Sequence, residues 1–95
     1  MTVQVIAMVE VRDPDLVAEY FKVTLPLMEQ AGAKVVNQYA FGDPVVGESR
    51  GETIYVVEYP DFDAVDAVFQ SPEYEAVKPI RDRGFSKYSV SFAAT

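Results

Sequence analysis

Hydrophobic and polar positions alternate along the first part of the chain, and this alternation predicts a β-strand over residues 3–11. One face of the strand carries Val3, Val5, Ala7, Val9 and Val11. The other face carries Gln4, Ile6, Met8 and Glu10. A period of two with many β-branched residues is typical of a strand that buries one of its faces.

A helix is predicted directly after this strand. Asp13 is suited to cap its N-terminus, and Pro14 fits the first helical position, where no backbone N–H is needed. Apolar residues then recur at steps of three and four as far as Gly32, which predicts an amphipathic helix. The members of this stripe are Val17, Tyr20, Phe21, Thr24, Leu27, Met28 and Ala31. Pro26 lies inside the helix and predicts a kink in its last turns.

Three more strands and two more helices complete the chain. The strands are predicted over residues 34–41, 53–59 and 86–92. A loop or irregular arm follows the first of these and extends to Gly51. Asp61 is predicted to cap a second helix, and Ser71 with Pro72 to begin a third, which ends at Gly84.

The element order β-α-β-β-α-β predicts an α+β, ferredoxin-like fold with one antiparallel sheet and the helices on one face. At 95 residues the chain is expected to form a single domain over residues 1–95. Tyr55, Val57 and Tyr59 should face the helices, which leaves Ile54, Val56 and Glu58 on the bare face. That face is too apolar to suit water, so we predict a homodimer in which two such faces close a dimeric α/β barrel.

Composition narrows the partners and the chemistry. The net charge of −7 disfavours nucleic acid and anionic membrane surfaces as partners. The chain has neither cysteine nor histidine, so we expect no thiolate chemistry, no transition metal, no haem and no bound cofactor. The N-terminal segment lacks the basic region of a secretion signal and is interrupted by Glu10, which predicts a cytoplasmic protein.

Several short motifs carry a resemblance to a known family. They are Val57-Glu58-Tyr59-Pro60, Ser71-Pro72-Glu73-Tyr74 and Arg81, with a looser match through Tyr20, Pro26 and Gly32. With these motifs the chain resembles the bacterial Domain of Unknown Function 1330 family. The resemblance implies a dimeric α/β-barrel fold and says little about activity. Proteins with this barrel include cofactor-independent monooxygenases, haem-degrading enzymes and lactone isomerases, so the fold alone does not select a reaction.

Glu58 is the candidate catalytic residue. It lies near the end of an apolar strand, on the face predicted to line the barrel, and a carboxylate partly removed from water suits a general acid or base. Glu10 is a similar but weaker candidate, because it is closer to a strand end. The alternative is structural: Glu58 pairs with a lysine or arginine at the dimer interface and sets the register of the two copies.

Tyr20, Tyr74 and Arg81 are the candidate substrate-binding residues. Tyr74 and Arg81 are seven positions apart, which an unbroken helix would place on one face. Arg81 would bind a carboxylate or enolate oxygen that the two tyrosine hydroxyls orient. The alternative makes the tyrosines core residues and Arg81 a surface ion-pair partner. Pro79 bears on this, because it is predicted to force Lys78 out of helical geometry.

Two classes of function follow from these residues. The leading hypothesis is a homodimeric small-molecule-binding protein of the dimeric α/β-barrel type, acting on an apolar or carboxylated metabolite if it is an enzyme. Such an enzyme would use Glu58 as proton carrier, with Arg81 and the two tyrosines holding an oxyanion. The alternative is a non-catalytic ligand-sensing or accessory module. A deep, dry pocket that contains Glu58 would favour the enzyme.

Overall fold

The structure is a computed structural model and describes residues 2–48 and 52–93. Its elements in chain order are β1 (Val3–Val11), α1 (Pro14–Gln30), β2 (Lys34–Ala40), β3 (Thr53–Tyr59), α2 (Phe62–Phe69), α3 (Pro72–Gly84) and β4 (Phe85–Phe92). These bounds agree with the predicted elements to within two residues. The predicted end of the β2–β3 loop, Gly51, lies outside the described residues.

The four strands form one sheet in the order β2-β3-β1-β4, and every neighbouring pair is antiparallel. The α+β, ferredoxin-like arrangement is therefore confirmed. Helix α1 connects β1 to β2, and α2 with α3 connects β3 to β4. In the sheet, Val5 lies opposite Val57 on one side and Phe92 on the other.

All three helices cover the same face of the sheet and share two hydrophobic clusters with it. One cluster contains Val9, Val17, Tyr20, Tyr74, Val77 and Phe85. The other contains Val5, Val57, Tyr59, Val65 and Val68. The predicted alternation of β1 and β3 is thus confirmed at the buried positions. Val11 differs: it is 49% exposed, because the pairing of β1 with β4 shifts register between Glu10 and Val11.

The predicted helix caps are present. The Oδ1 atom of Asp13 accepts hydrogen bonds from the backbone N–H groups of Asp15 (3.1 Å) and Leu16 (3.3 Å). The Oγ atom of Ser71 accepts from the N–H of Tyr74 at 3.1 Å and donates to the Val68 carbonyl at 2.8 Å. Ser71 therefore fixes where α3 begins, and with it the position of Tyr74 one turn later.

The two prolines inside helices do not break them. Helix α1 continues through Pro26, and α3 continues through Pro79 with Lys78 still helical, so the predicted distortion of α3 at Pro79 is wrong. Both prolines are exposed, as are Lys22 and Glu75, whose carbonyls lose their usual donors four residues later. Those carbonyls can accept hydrogen bonds from water instead, which makes a proline tolerable on this side of a helix.

The second face of the sheet carries no helix. Ile6, Met8, Ile54 and Val56 are half-buried there, at the centre of the sheet. Strand β2 is exposed along its whole length, and in the loop after it Val45 and Val46 are 99% and 91% exposed. A single protomer thus leaves several apolar side chains at least partly uncovered, on and beside this face.

Gly84 sets the contact between α3 and α1. Its carbonyl accepts hydrogen bonds from the backbone N–H groups of Arg12 (2.8 Å) and Asp13 (3.0 Å), so it cannot easily withdraw. A Cβ atom at Gly84 would lie 3.3 Å from Leu16 Cβ and 3.3 Å from the backbone nitrogen of Val17. The absence of a side chain therefore allows the two helices to approach closely enough to share one core.

We expect Gly84→Ala to lower the free energy of unfolding by about 1–3 kcal/mol, the usual cost of forcing an extra methyl group into a packed contact. Gly42→Ala is the matched control, because a Cβ there meets no atom within 4 Å. Urea denaturation of both variants measures the difference. Equal stability of the two variants would show that α1 can yield to the added methyl group.

Candidate functional site

Three tyrosine hydroxyls meet between the helices and the sheet. Tyr20 comes from α1, Tyr74 from α3 and Tyr88 from β4. Their hydroxyl oxygens are 3.0 Å apart for Tyr20 and Tyr74, 2.6 Å for Tyr20 and Tyr88, and 2.9 Å for Tyr74 and Tyr88. Because Tyr20 donates to Tyr74, one proton on each oxygen closes the ring when Tyr74 donates to Tyr88 and Tyr88 to Tyr20. We call this arrangement the tyrosine triangle.

Each member reaches the triangle for a local reason. Tyr20 belongs to the apolar stripe of α1, and Tyr74 lies in the first turn of α3, directly after the Ser71 cap. Tyr88 lies opposite Val9 in the sheet, and so points to the helix-covered face. The rings of Tyr74 and Tyr88 both contact that of Tyr20 edge to face, with centroids 6.0 and 5.9 Å away.

Arg81 borders the triangle on its solvent side. Its Nη1 atom donates to the Tyr74 hydroxyl at 3.3 Å, and its Cζ atom lies 5.8 and 5.3 Å from the ring centroids of Tyr74 and Tyr88. Its Nε and Nη2 atoms both donate to a single oxygen, Oδ1 of Asp82, at 3.2 and 3.1 Å. The guanidinium group is therefore held in place by the tyrosines, with its side chain 23% exposed.

Two spaces adjoin the triangle. An outer cleft of about 500 Å³ lies between β4 and helices α2 and α3, and Lys78, Arg81 and Asp82 line it. An inner cavity of about 100 Å³ lies between the sheet and the helices, and Tyr20 and Thr24 line it with apolar residues. Both spaces are bordered by Val5, Phe69, Tyr74, Tyr88 and Val90. A single layer of side chains therefore separates the cleft from the cavity.

Thr24 is a buried polar residue without a visible partner. It is 2% exposed, and its Oγ1 atom has no hydrogen-bond partner among the described residues. Burying a hydroxyl group without a hydrogen-bond partner destabilises the folded state, because the group loses its hydrogen bonds to water. An unpaired buried hydroxyl therefore needs an explanation. This one lies on the wall of the inner cavity, where an incoming molecule could supply the missing partner.

The phenols of Tyr20, Tyr59 and Tyr88 stay protonated at physiological pH. Burial, followed by the neighbouring Tyr88, raises the pKa of Tyr20 well above its ordinary value, and burial also raises the pKa of Tyr88. Burial raises the pKa of Tyr59 to about 12. For Arg81, burial lowers the pKa but the hydrogen bonds to Tyr74 and Asp82 more than offset it, so the net change is upward. The hydroxyls of Tyr20 and Tyr88 are therefore neutral, and Arg81 stands beside them as a permanent cation.

The structure thus brings together three of the four predicted site residues: Tyr20, Tyr74 and Arg81. The fourth, Glu58, does not join them. It lies on the face of the sheet without helices, with Gln4 and Lys34 as its cross-strand neighbours. Because the sheet stands between Glu58 and the tyrosine triangle, Glu58 cannot exchange a proton with a molecule bound there in the same protomer.

Three other residues were missed by the sequence analysis. Tyr88 could have been found, because it shares the apolar side of β4 with Val90, and β4 pairs with β1. Thr24 was counted only as a member of the α1 stripe, and its missing partner is visible only in three dimensions. Glu52 is almost fully buried and pairs with Lys87 at 3.1 Å. No local pattern distinguishes it from an exposed loop residue.

Glu10, the weaker carboxylate candidate, accepts a hydrogen bond from Ser86 at 2.7 Å on the same face of the sheet as Glu58.

Within residues 2–48 and 52–93, no three or more histidine, cysteine, aspartate or glutamate side chains are grouped so that they could hold a metal ion. Over the same residues, no helix has the length and apolar character needed to cross a membrane.

Comparison with known proteins agrees with this architecture. The arrangement of sheet and helices is that of the ferredoxin-like α+β proteins. A family model, Domain of unknown function (DUF1330), matches residues 2–93, and the chain belongs to that family. Comparison with curated proteins finds no match.

Solved structures with the same fold come from several organisms. A protein of unknown function from Rhodopseudomonas palustris is 20% identical with a TM-score of 0.80, and the match covers 99% of this chain and 82% of that chain. A dimeric protein of unknown function and ferredoxin-like fold from Bacteroides fragilis is 16% identical with a TM-score of 0.60, covering 99% and 96%. A dimeric ferredoxin-like protein of unknown function from Thermobifida fusca is 19% identical with a TM-score of 0.59, covering 100% and 92%. At these identities the likeness shows the fold alone.

The raised tyrosine pKa values predict that the protein loses stability in alkali. An unfolded tyrosine ionises at about pH 10, whereas Tyr20, Tyr59 and Tyr88 stay protonated to higher pH in the folded state. Their contribution is complete below that pH and is lost as the pH rises through the folded pKa, at up to about 1.4 kcal/mol per pH unit for each tyrosine. The melting temperature measured between pH 8 and pH 11.5 should therefore fall steeply in the upper part of the range.

Tyr20→Phe should make this fall shallower, because one titrating group is removed. Tyr39→Phe is the control, because Tyr39 lies on β2 and is 57% exposed. This variant should leave the fall of the melting temperature with pH unchanged. An identical slope in wild type and Tyr20→Phe would contradict the assignment of the alkaline transition to the tyrosine triangle.

Proposed function

We propose that this protein is a homodimeric small-molecule-binding protein whose ligand is a small carboxylate with an apolar part, bound in the outer cleft by Arg81. The observation that carries this proposal is the position of Arg81. Its guanidinium group is fixed against the hydroxyl of Tyr74, at the boundary between the cleft and an apolar cavity. Sites for small organic molecules usually combine an apolar pocket with a few converging polar groups of this kind.

The guanidinium group has an edge suited to a carboxylate. Its Nε and Nη2 atoms can bind two carboxylate oxygens at once, but here both donate to one oxygen of Asp82. The side chain of Asp82 is 67% exposed, so its ion pair with Arg81 is screened by water and weak. A ligand carboxylate can therefore displace Asp82 and gain the second hydrogen bond that Asp82 does not make.

The protonation states of the side chains at the site favour a ligand-binding role over proton-transfer catalysis. The phenols of Tyr20 and Tyr88 are neutral donors at physiological pH, and Glu58 lies across the sheet from them. The carboxylates in the cleft, Asp66 and Asp82, are exposed and engaged with Gln70 and Arg81. The site therefore lacks a sequestered general base. This supports a ligand-sensing or accessory module more than an enzyme that uses Glu58 as proton carrier.

The proposed dimer uses the face of the sheet without helices. Ile6, Met8, Ile54 and Val56 form its apolar centre, and covering them with a second copy would remove that surface from water. Two structural neighbours are themselves described as dimeric, which supports the proposal. In this arrangement Glu58, beside Lys34, would contribute to the polar rim of the interface and to its register rather than to catalysis.

We expect Arg81→Ala to weaken the binding of small carboxylates by about 1.5–3 kcal/mol, the range for a hydrogen bond to a charged group. Arg83→Ala is the matched control, since Arg83 is an exposed arginine of the same helix. Asp82→Asn should have the opposite effect and strengthen binding, because it removes the competing charge. Isothermal titration of the wild type and the three variants with acetate, hexanoate and benzoate measures these affinities. Equal affinities in wild type and Arg81→Ala would refute the proposed site.

We expect Val56→Lys to disrupt the dimer, because it places an unpaired charge in the centre of the proposed interface. Sedimentation equilibrium should show about twice the protomer mass of 10.6 kDa for the wild type. Val56→Lys should sediment as a monomer or unfold. Ala18→Lys, on the exposed side of α1, should leave the mass unchanged. A wild-type protein that stays at the protomer mass at micromolar concentration would overturn the dimer.

A further inference from the structure

The inner cavity has a polar group that the proposed function does not use, the hydroxyl of Thr24. We propose that the inner cavity receives the apolar end of the bound carboxylate, and that an oxygen on that end forms a hydrogen bond with Thr24. The ligand class is then a short-chain carboxylic acid with a keto or hydroxyl group remote from the carboxylate. This inference rests on the proposed function for the position of the carboxylate at Arg81.

The size of the inner cavity limits what it can hold. Its volume is about 100 Å³, and its walls are mainly valine, methionine, leucine and aromatic side chains. An engineered apolar cavity of about 150 Å³ stays dry and binds benzene, so a cavity of this size suits a group slightly smaller than a benzene ring. Four or five heavy atoms of an alkyl chain fit this description, whereas a large ring system does not.

Thr24 explains why the end of the chain should carry an oxygen. A threonine in a helix commonly donates its hydroxyl proton to the carbonyl four residues earlier. Here the hydroxyl has no partner among the described residues, although it is 2% exposed, and it borders the cavity. A keto oxygen placed beside it would accept that proton, and a hydroxyl could also donate to it. A purely hydrocarbon chain would leave Thr24 unpaired.

The tyrosine triangle provides the passage between the two spaces. Tyr74 and Tyr88 line both the outer cleft and the inner cavity, and their hydroxyls are 2.9 Å apart. An alkyl chain that passes between them must separate these two hydroxyls. Each retains a partner when this happens, because Tyr20 bonds to both and Arg81 donates to Tyr74. The opening therefore leaves neither oxygen without a hydrogen bond.

The test compares three acids and one neutral compound by isothermal titration: acetate, hexanoate, 5-oxohexanoate and 2-pentanone. In the wild type, 5-oxohexanoate should bind about threefold to tenfold more tightly than hexanoate, the value of one added neutral hydrogen bond. Thr24→Val has the same shape without the hydroxyl and should abolish this difference. Ala7→Leu fills the inner cavity from β1 without bordering the cleft. Ala7→Leu should weaken the binding of hexanoate and 5-oxohexanoate but leave the affinity for acetate unchanged.

The same titrations separate the failure of this inference from the failure of the proposed function. If binding depends on Arg81 but Ala7→Leu and Thr24→Val change nothing, the cavity assignment is wrong and the proposed function stands. If 2-pentanone binds and responds to both variants while no acid binds, the cavity is supported and the carboxylate class is overturned. If Thr24→Val leaves the advantage of 5-oxohexanoate intact, the hydrogen bond to Thr24 is refuted. The melting temperature of unliganded Thr24→Val should rise, because a buried unpaired hydroxyl is removed, which shows that any loss of binding is not a loss of folding.

Discussion

Three phenol hydroxyls share one buried ring of hydrogen bonds, and this ring constrains most of the molecule. It ties α1, α3 and the edge strand β4 to a single point, through residues that are distant in sequence. Loss of any one of the three phenols removes a hydrogen bond from each of the other two. Gly84 allows α3 to approach α1 closely, which brings Tyr74 and Tyr20 within hydrogen-bond distance. The position of Arg81 then follows from that of Tyr74, to which it donates.

Much of this could be predicted from the sequence, for physical reasons that are local. Period-two alternation assigned β1 and β3 their faces, and side-chain caps such as Ser71 located the helix starts. The seven-residue spacing of Tyr74 and Arg81 predicted their contact correctly, and Pro79 did not disturb it because the affected carbonyl reaches water. Alternation also placed Glu58 on the face without helices. Within one protomer Glu58 and the tyrosines lie on opposite sides of the sheet, so a site that combines them stays a prediction.

What could not be predicted depends on contacts between distant elements. Tyr88 joins the site only because β4 pairs with β1 in a register that sets Tyr88 opposite Val9. The unpaired hydroxyl of Thr24 lies on the wall of a cavity that all seven strands and helices line together. Glu52 is buried beside Lys87 by long-range packing. One side of the sheet thus holds the tyrosine triangle and Arg81, where we propose the ligand site, and the other side holds the apolar surface where we propose that a second copy packs.

The chain contains no tryptophan and six tyrosines, and half of these tyrosines form the triangle. Its intrinsic fluorescence is therefore dominated by the phenol rings of the tyrosines, and a large share of these rings border the proposed ligand site. Phenol emission responds to the hydrogen bonding of the hydroxyl group, so a molecule that separates Tyr74 from Tyr88 changes the light that the protein itself emits. The same contacts that shape the site make it a built-in optical reporter of its own occupancy, without a dye or an engineered label.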